Sequence, residues 1–390
     1  MKKSYLAIAA FVIAFSTAGT SFADDTAVIG GEDGPTAIYV TDDSAESEPT
    51  VYSLSLDDAI KMAYDGNEKL RANELEQYGN EINIKSAEIT YLRMKKASVR
   101  LPDGFETMYC AKNGYGLEAA RMQLRLSQKK NEQIKGTIAY DTTQAYYNCG
   151  LMNKLVNAAQ NSYELAVANH NGVDAQYALG LIPKLDYENA SIAVERAANA
   201  LNSYELQRDL AYENLKILLN KDTENCSIVI TDEIECSDYE SDVVSDAASA
   251  VETRYDLTAL KESRDLAKMY FDLSDVLTEA SAVYNQANAA YVQADYDYTN
   301  TCKLITLSIK SCYNNILTAK ADMNTAELTY NMKVKEYDSA KVKYELGMIT
   351  NLELTKTIND LYDAQVTYAN AKLSYRMAVE KYKYEVTIGL

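Results

Sequence analysis

Tyr177-Ala-Leu-Gly180-Leu-Ile182-Pro-Lys-Leu185-Asp186 and Tyr344-Glu-Leu-Gly347-Met-Ile349-Thr-Asn-Leu352-Glu353 repeat one pattern, 167 residues apart. Both fit Tyr-x-Leu-Gly-x-Ile-x-x-Leu-acid. A glycine that closes one helical pattern just before another opens marks a tight turn between helices. Each decapeptide therefore reads as the tip of a helical hairpin, and the chain as two such hairpins in tandem.

The flanking sequence supports this. No Gly or Pro occurs from Lys184 to Leu346, although the chain has 15 Gly and 4 Pro. A run that long without breakers is long helix rather than a mixed α/β domain. Before the first tip, Cys149, Val156, Tyr163, His170 and Tyr177 step by sevens, with Met152, Ala159, Ala166, Val173 and Gly180 three residues behind. Before the second, Cys302, Ile309, Ile316, Met323, Tyr330, Tyr337 and Tyr344 run beside Ile305, Cys312, Ala319, Ala326, Lys333, Ala340 and Gly347. A sustained period of seven is a coiled-coil seam, and alternating Tyr with Ala packs large against small.

The predicted fold class is all-α, with little or no β. It consists of elongated antiparallel coiled-coil hairpins of long helices in two structural repeats. Helices are expected over 68–99, 117–179, 185–220 and 353–388, with another climbing to Leu346. Residues 101–116 are irregular, and 105–111 offer one short strand at most. The corresponding turn of the second repeat is expected between Asn285 and Asn300.

The predicted organisation begins with a signal peptide over 1–23: Lys2 and Lys3, an apolar run too short to span a bilayer, and small residues at Ser21-Phe22-Ala23. An acidic lead, 24–50, is expected to be disordered. Repeat 1 covers 51–220 with its tip near 180–185. An acidic, Cys-flanked connector occupies 221–245, and repeat 2 covers 246–390 with its tip near 347–352. The chain is thus expected to be exported.

Net charge is −19, which opposes binding to nucleic acid or to an anionic lipid surface. Cys226 and Cys236 flank a β-like run and are candidates for a disulfide across its ends; the other four cysteines read as small buried hydrophobes. His170 is the only histidine and holds a seam position, so no metal site is expected. No phosphate loop, catalytic triad or Cys-x-x-Cys pair appears. No catalytic residue and no cofactor are expected.

The duplicated plan, the Leu54-Ser-Leu-Asp-Asp-Ala-Ile60 opening, Leu101-Pro102 and the two tip glycines with their flanks together resemble the TolC outer-membrane efflux family over 54–390. The resemblance implies a homotrimer closing a twelve-helix barrel. It implies an export conduit at the outer membrane or cell envelope, facing the periplasm. Tyr177, Leu179, Gly180 and Ile182, with Tyr344, Leu346, Gly347 and Ile349, would face a periplasmic adaptor and an inner-membrane pump. Asp186 and Glu353, six residues past the tip glycines, would form a like-charged constriction favouring cations. One departure stands out. Relatives insert a β-hairpin between the long helices of each repeat, whereas here the first insertion is short and the second absent. The alternative reading is an extracytoplasmic coiled-coil scaffold or adaptor without a channel.

Overall fold

A computed structural model describes residues 50–390 apart from 102, 222–225, 280 and 390. The expected signal peptide and acidic lead, save Thr50, lie outside the described residues. Those described form one body of long helices.

The chain enters through β1 (Thr50–Leu54) and α1 (Leu56–Tyr64), then runs up α2 (Glu68–Met94). Ser55 caps α1, its Oγ accepting from the Asp58 amide at 3.3 Å, and Asn67 caps α2. A π-turn over Phe105–Tyr109 and a single helical turn, α3 (Cys110–Lys112), lead into α4 (Tyr115–Ala178). After the first tip comes α5 (Lys184–Leu218), then β2 (Cys226–Ile230) and a connector without regular structure. The second repeat runs α6 (Val243–Thr253), α7 (Tyr255–Ser274), α8 (Ala282–Glu345) and, after the second tip, α9 (Asn351–Thr387).

The repeats match closely. α4 and α8 each span 64 residues, rods of about 95 Å, and α8 starts and ends 167 residues after α4. In each repeat two shorter helices lie end to end along the long one. α2 covers the half of α4 away from the tip, through Glu76–Lys130 at 2.8 Å and Glu88–Arg121 at 3.7 Å. α5 covers the tip half, through Asn153–Tyr212 at 2.8 Å and His170–Ser191 at 3.0 Å.

Several expectations are corrected at the end away from the tips. The second-repeat turn lies at 275–281, earlier than the 285–300 window. Asn285 is inside α8, and its side-chain amide reaches back to the Glu279 carbonyl at 2.9 Å. Residues 105–111 contain no strand, because the amides of Met108 and Tyr109 both turn back to the Gly104 carbonyl. The helix expected over 68–99 stops at Met94.

The β content is one parallel pair among the described residues, with Thr50 opposite Cys226 and Leu54 opposite Ile230. Tyr146 on α4 clamps it: its hydroxyl donates to Leu54 O at 2.9 Å and accepts from the amides of Thr231 and Asp232. In the second repeat Tyr375 ties the connector to α9 in the same manner, donating to Ser237 O and accepting from Tyr239 N, while Tyr382 donates to the Asp246 carboxylate of α6. A tyrosine places a large apolar ring in a seam and keeps a polar handle for backbone crossing it.

The Cys226–Cys236 bridge is not formed. Cys226 packs in the repeat-1 core with Leu54 and Ile228, whereas Cys236 packs against the repeat-2 core. The two sulfurs thus sit in different cores, and both thiols are free.

Candidate functional site: the paired hairpin tips

The two tips close with the same hydrogen bonds. Gly180 N donates to Tyr177 O at 2.9 Å and Leu181 N to Gln176 O at 2.9 Å; Gly347 N donates to Tyr344 O at 2.9 Å and Met348 N to Lys343 O at 2.8 Å. This is the Schellman arrangement, which needs a left-handed residue at the helix end. Gly180 and Gly347 supply it at φ +71° and +68°.

The turns expose a rim of apolar side chains. Leu179, Leu181 and Leu185 on the first tip match Leu346, Met348 and Leu352 on the second, all more than 60% exposed. Ile182 and Ile349 are half-buried beneath the rim. Tyr177 stacks on Tyr187 with ring centroids 5.0 Å apart, while Tyr344 packs with Leu354 and Ile358. Of these six only Leu179 and Leu346 are candidates from the sequence; Leu181, Leu185, Met348 and Leu352 join them in the structure, although all lie within the repeated decapeptide.

The two tip acids differ in their surroundings. Glu353 Oε2 accepts from Thr350 N at 2.9 Å and Thr350 Oγ1 at 3.1 Å, and Thr350 Oγ1 accepts from Glu353 N at 3.3 Å. That is a complete capping box, and the bonds to the Thr350 backbone and hydroxyl hold its carboxyl below the usual range. Asp186 lies in the first turn of α5, whose cap residue Pro183 offers no side-chain bond. Its own amide donates to Pro183 O at 3.1 Å, and no side-chain hydrogen bond holds its carboxylate among the described residues.

A groove of about 740 Å³ separates α5 from α9 behind the tips. Glu353 and Asp363 line it together with Asn189, Arg196 and Lys356. Asn169 of α4 crosses to α9 through Thr355 Oγ1 at 3.1 Å. His170 contacts Ser191 and Tyr187, as a packing residue does. Among the described residues no cluster of His, Cys, Asp or Glu could hold a metal ion, and no helix is long and apolar enough to cross a membrane.

This architecture is shared with solved channels. The *Campylobacter jejuni* CmeC outer membrane channel superposes with a TM-score of 0.68 at 14% identity, covering 85% of each chain. VceC of *Vibrio cholerae* gives 0.68 at 12%, covering 85% of this chain and 96% of that one. The fold is that of an outer-membrane efflux channel protomer. The open-state MtrE channel of *Neisseria gonorrhoeae* superposes at 0.59 with 14% identity, covering 86% of this chain and 89% of its own. In sequence, residues 275–381 match the outer membrane efflux protein family. That match runs from the α7–α8 turn through the second tip and most of α9. No curated protein sequence matches. The TolC-family resemblance and the all-α, two-repeat fold class read from the sequence both hold.

Proposed function

We propose that the chain is a protomer of a trimeric TolC-like conduit that passes molecules through the cell envelope, at or against the outer membrane. An adaptor and an inner-membrane pump would meet its tips. The observation that carries this reading is an interface left half-made. Within the chain, repeat 1 meets repeat 2 through α4, which packs on α7 and α9. Arg125 pairs with Glu262 at 2.6 Å, and Tyr384 meets Thr137 at 2.7 Å and Tyr140 at 5.0 Å between rings.

The duplication supplies counterparts to these contacts. Shifting α4 onto α8 by 167 residues, α9 back onto α5 by the same step, and α7 back onto α2 by their starts converts the three pairs. They become Val292 with Leu75, Leu304 with Ile217, and Leu307 with Ile217. All five side chains are apolar and more than half exposed. A head-to-tail contact of this kind buries them against a second copy and generates a ring when the rotation closes. Three copies, each offering two helices per repeat at every height, make twelve.

In that ring Asp186 and Glu353 are the candidate constriction, with Asn189 and Lys356 nine residues past the glycines diluting its negative charge. The apolar rim and the residues Tyr177 to Ile182 and Tyr344 to Ile349 are the candidate adaptor contact. The test combines native mass with transport. Asp186→Asn with Glu353→Gln keeps the capping geometry while removing both charges. It is expected to leave a trimer and to reduce severalfold the preference for a cationic over an anionic dye in efflux-competent cells. A wild-type chain that stays monomeric at tens of micromolar would sink the reading, and a trimer with unchanged dye preference would return the acids to a purely structural role.

A further inference from the structure

The two repeats differ most at the end away from the tips. α2 has 27 residues where its counterpart α7 has 20, and it continues into Arg93-Met-Lys-Lys-Ala-Ser-Val-Arg100. These eight residues carry four cations and no acid, in a chain of charge −19. Arg93, Lys95, Lys96 and Arg100 are all exposed, and none meets a carboxylate among the described residues. The α7–α8 turn has the opposite character: Asp272, Asp275 and Glu279 are exposed there and equally unpaired, beside the exposed Val276.

We propose that the overhang of α2 and its basic run clasp the acidic α7–α8 turn of the next copy in the ring, closing the barrel at the end where the described residues form no β-hairpin. The proposal rests on the trimer reading above and adds a contact to it. Register places the two surfaces together. Within the chain α4 and α7 run antiparallel, with Tyr115 against Tyr270 at 5.3 Å and Arg125 against Glu262. The same pairing between copies sets Leu75 on Val292 and Asn83 on Ala282, the first residue of α8. Everything on α2 beyond Asn83 then passes the start of α8 and lies along the neighbour's turn. Ile89 and Leu92, both exposed, fall beside Val276, and the basic run falls beside the three acids. α7, ending at Ser274, has no comparable overhang, so the clasp operates only between copies.

Net repulsion between acidic copies does not oppose this contact appreciably. At physiological salt charges are screened over about 8 Å, whereas each long helix extends about 95 Å. Local complementarity therefore decides the interaction at this end.

A charge swap in the full mature chain tests the proposal. Arg93→Glu, Lys95→Glu, Lys96→Glu and Arg100→Glu together form one variant; Asp272→Lys, Asp275→Lys and Glu279→Lys form another. Analytical ultracentrifugation is expected to show each variant assembling at least about tenfold more weakly than wild type. Combining all seven is expected to restore assembly to within about threefold of wild type, which neither misfolding nor general charge effects would do. A wild-type trimer that neither variant weakens, or that the combination fails to rescue, overturns the clasp and leaves the trimer standing. A wild-type monomer fails the trimer reading itself. Loss of capture on phosphatidylglycerol vesicles, with assembly unchanged, would make the basic run a membrane contact and likewise overturn the clasp.

Discussion

Glu353, the proposed constriction acid of the second tip, is first of all a residue of its turn. Its carboxylate closes the capping box, so its charge is committed to the start of α9 before it faces any lumen. Its folded pKa is depressed, so the stability it adds is fully present above the ordinary carboxylate range and is lost as pH falls through the depressed value. Amide exchange at 350–354 is expected to accelerate on acidification within that window, and Glu353→Ala to be fast at every pH. The first tip, closed without such a box, should show no matching transition from this cause. The tip glycines make a separate prediction. Nothing lies within 4 Å of a Cβ added at Gly180 or Gly347, so Gly→Ala there costs backbone strain alone, about 1–2 kcal/mol each in unfolding measurements. Gly136 is the opposite case. An added Cβ would overlap the end of the Ile388 side chain, which must swing aside, so Gly136→Ala should destabilise by about 1 kcal/mol, read as a lowered unfolding midpoint.

At the scale of elements, the tips and long helices were legible because a period of seven with Tyr facing Ala has one reading. The turn at 275–281 was not, because nothing there resembles a glycine stop. Its backbone is closed by Leu277 N to Ser274 O and Ser281 N to Thr278 O, and by the side chain of Asn285 from inside α8. Asn285 marked the turn from outside it, which displaced the expectation toward the C-terminus. The pairing of β1 with β2 was also hidden, since strands so distant in sequence carry no local register signal. Of the candidate site, the repeated motif exposed the acids and the glycines, whereas the capping role of Glu353 appeared only with the positions of Thr350 Oγ1 and N. Arg254 illustrates a buried junction between elements. It pairs with Glu385 at 2.9 Å and Asp256 at 2.7 Å, joining the start of α7 to the end of α9. Arg254→Ala strands the buried Glu385 carboxylate and should cost about 3–5 kcal/mol, while Arg254→Met with Glu385→Leu should recover much of that in denaturant titration.

For the whole molecule, the duplication is the organising fact. One set of contacts is made inside the chain, and the proposed ring would make it a second time toward a neighbour. The parallel pairing of Thr50–Leu54 with Cys226–Ile230 is clamped at the middle of α4 by Tyr146, and α4 and α8 run on equally far toward their turns from Tyr146 and its counterpart Tyr313. Equal length from a shared baseline brings both turns to the same height. The tolerance of the chain to insertions follows from this. One extra residue in α4 alone lifts its turn by about 1.5 Å and rotates it by about 100°, and four lift it by about 6 Å. In the proposed ring the rim would then step up and down around its circumference, and the proposed adaptor would touch only every second turn. Lengthening is harmless only when α4 and α5 grow together and α8 and α9 grow by the same amount, so the four helices must change length as a set.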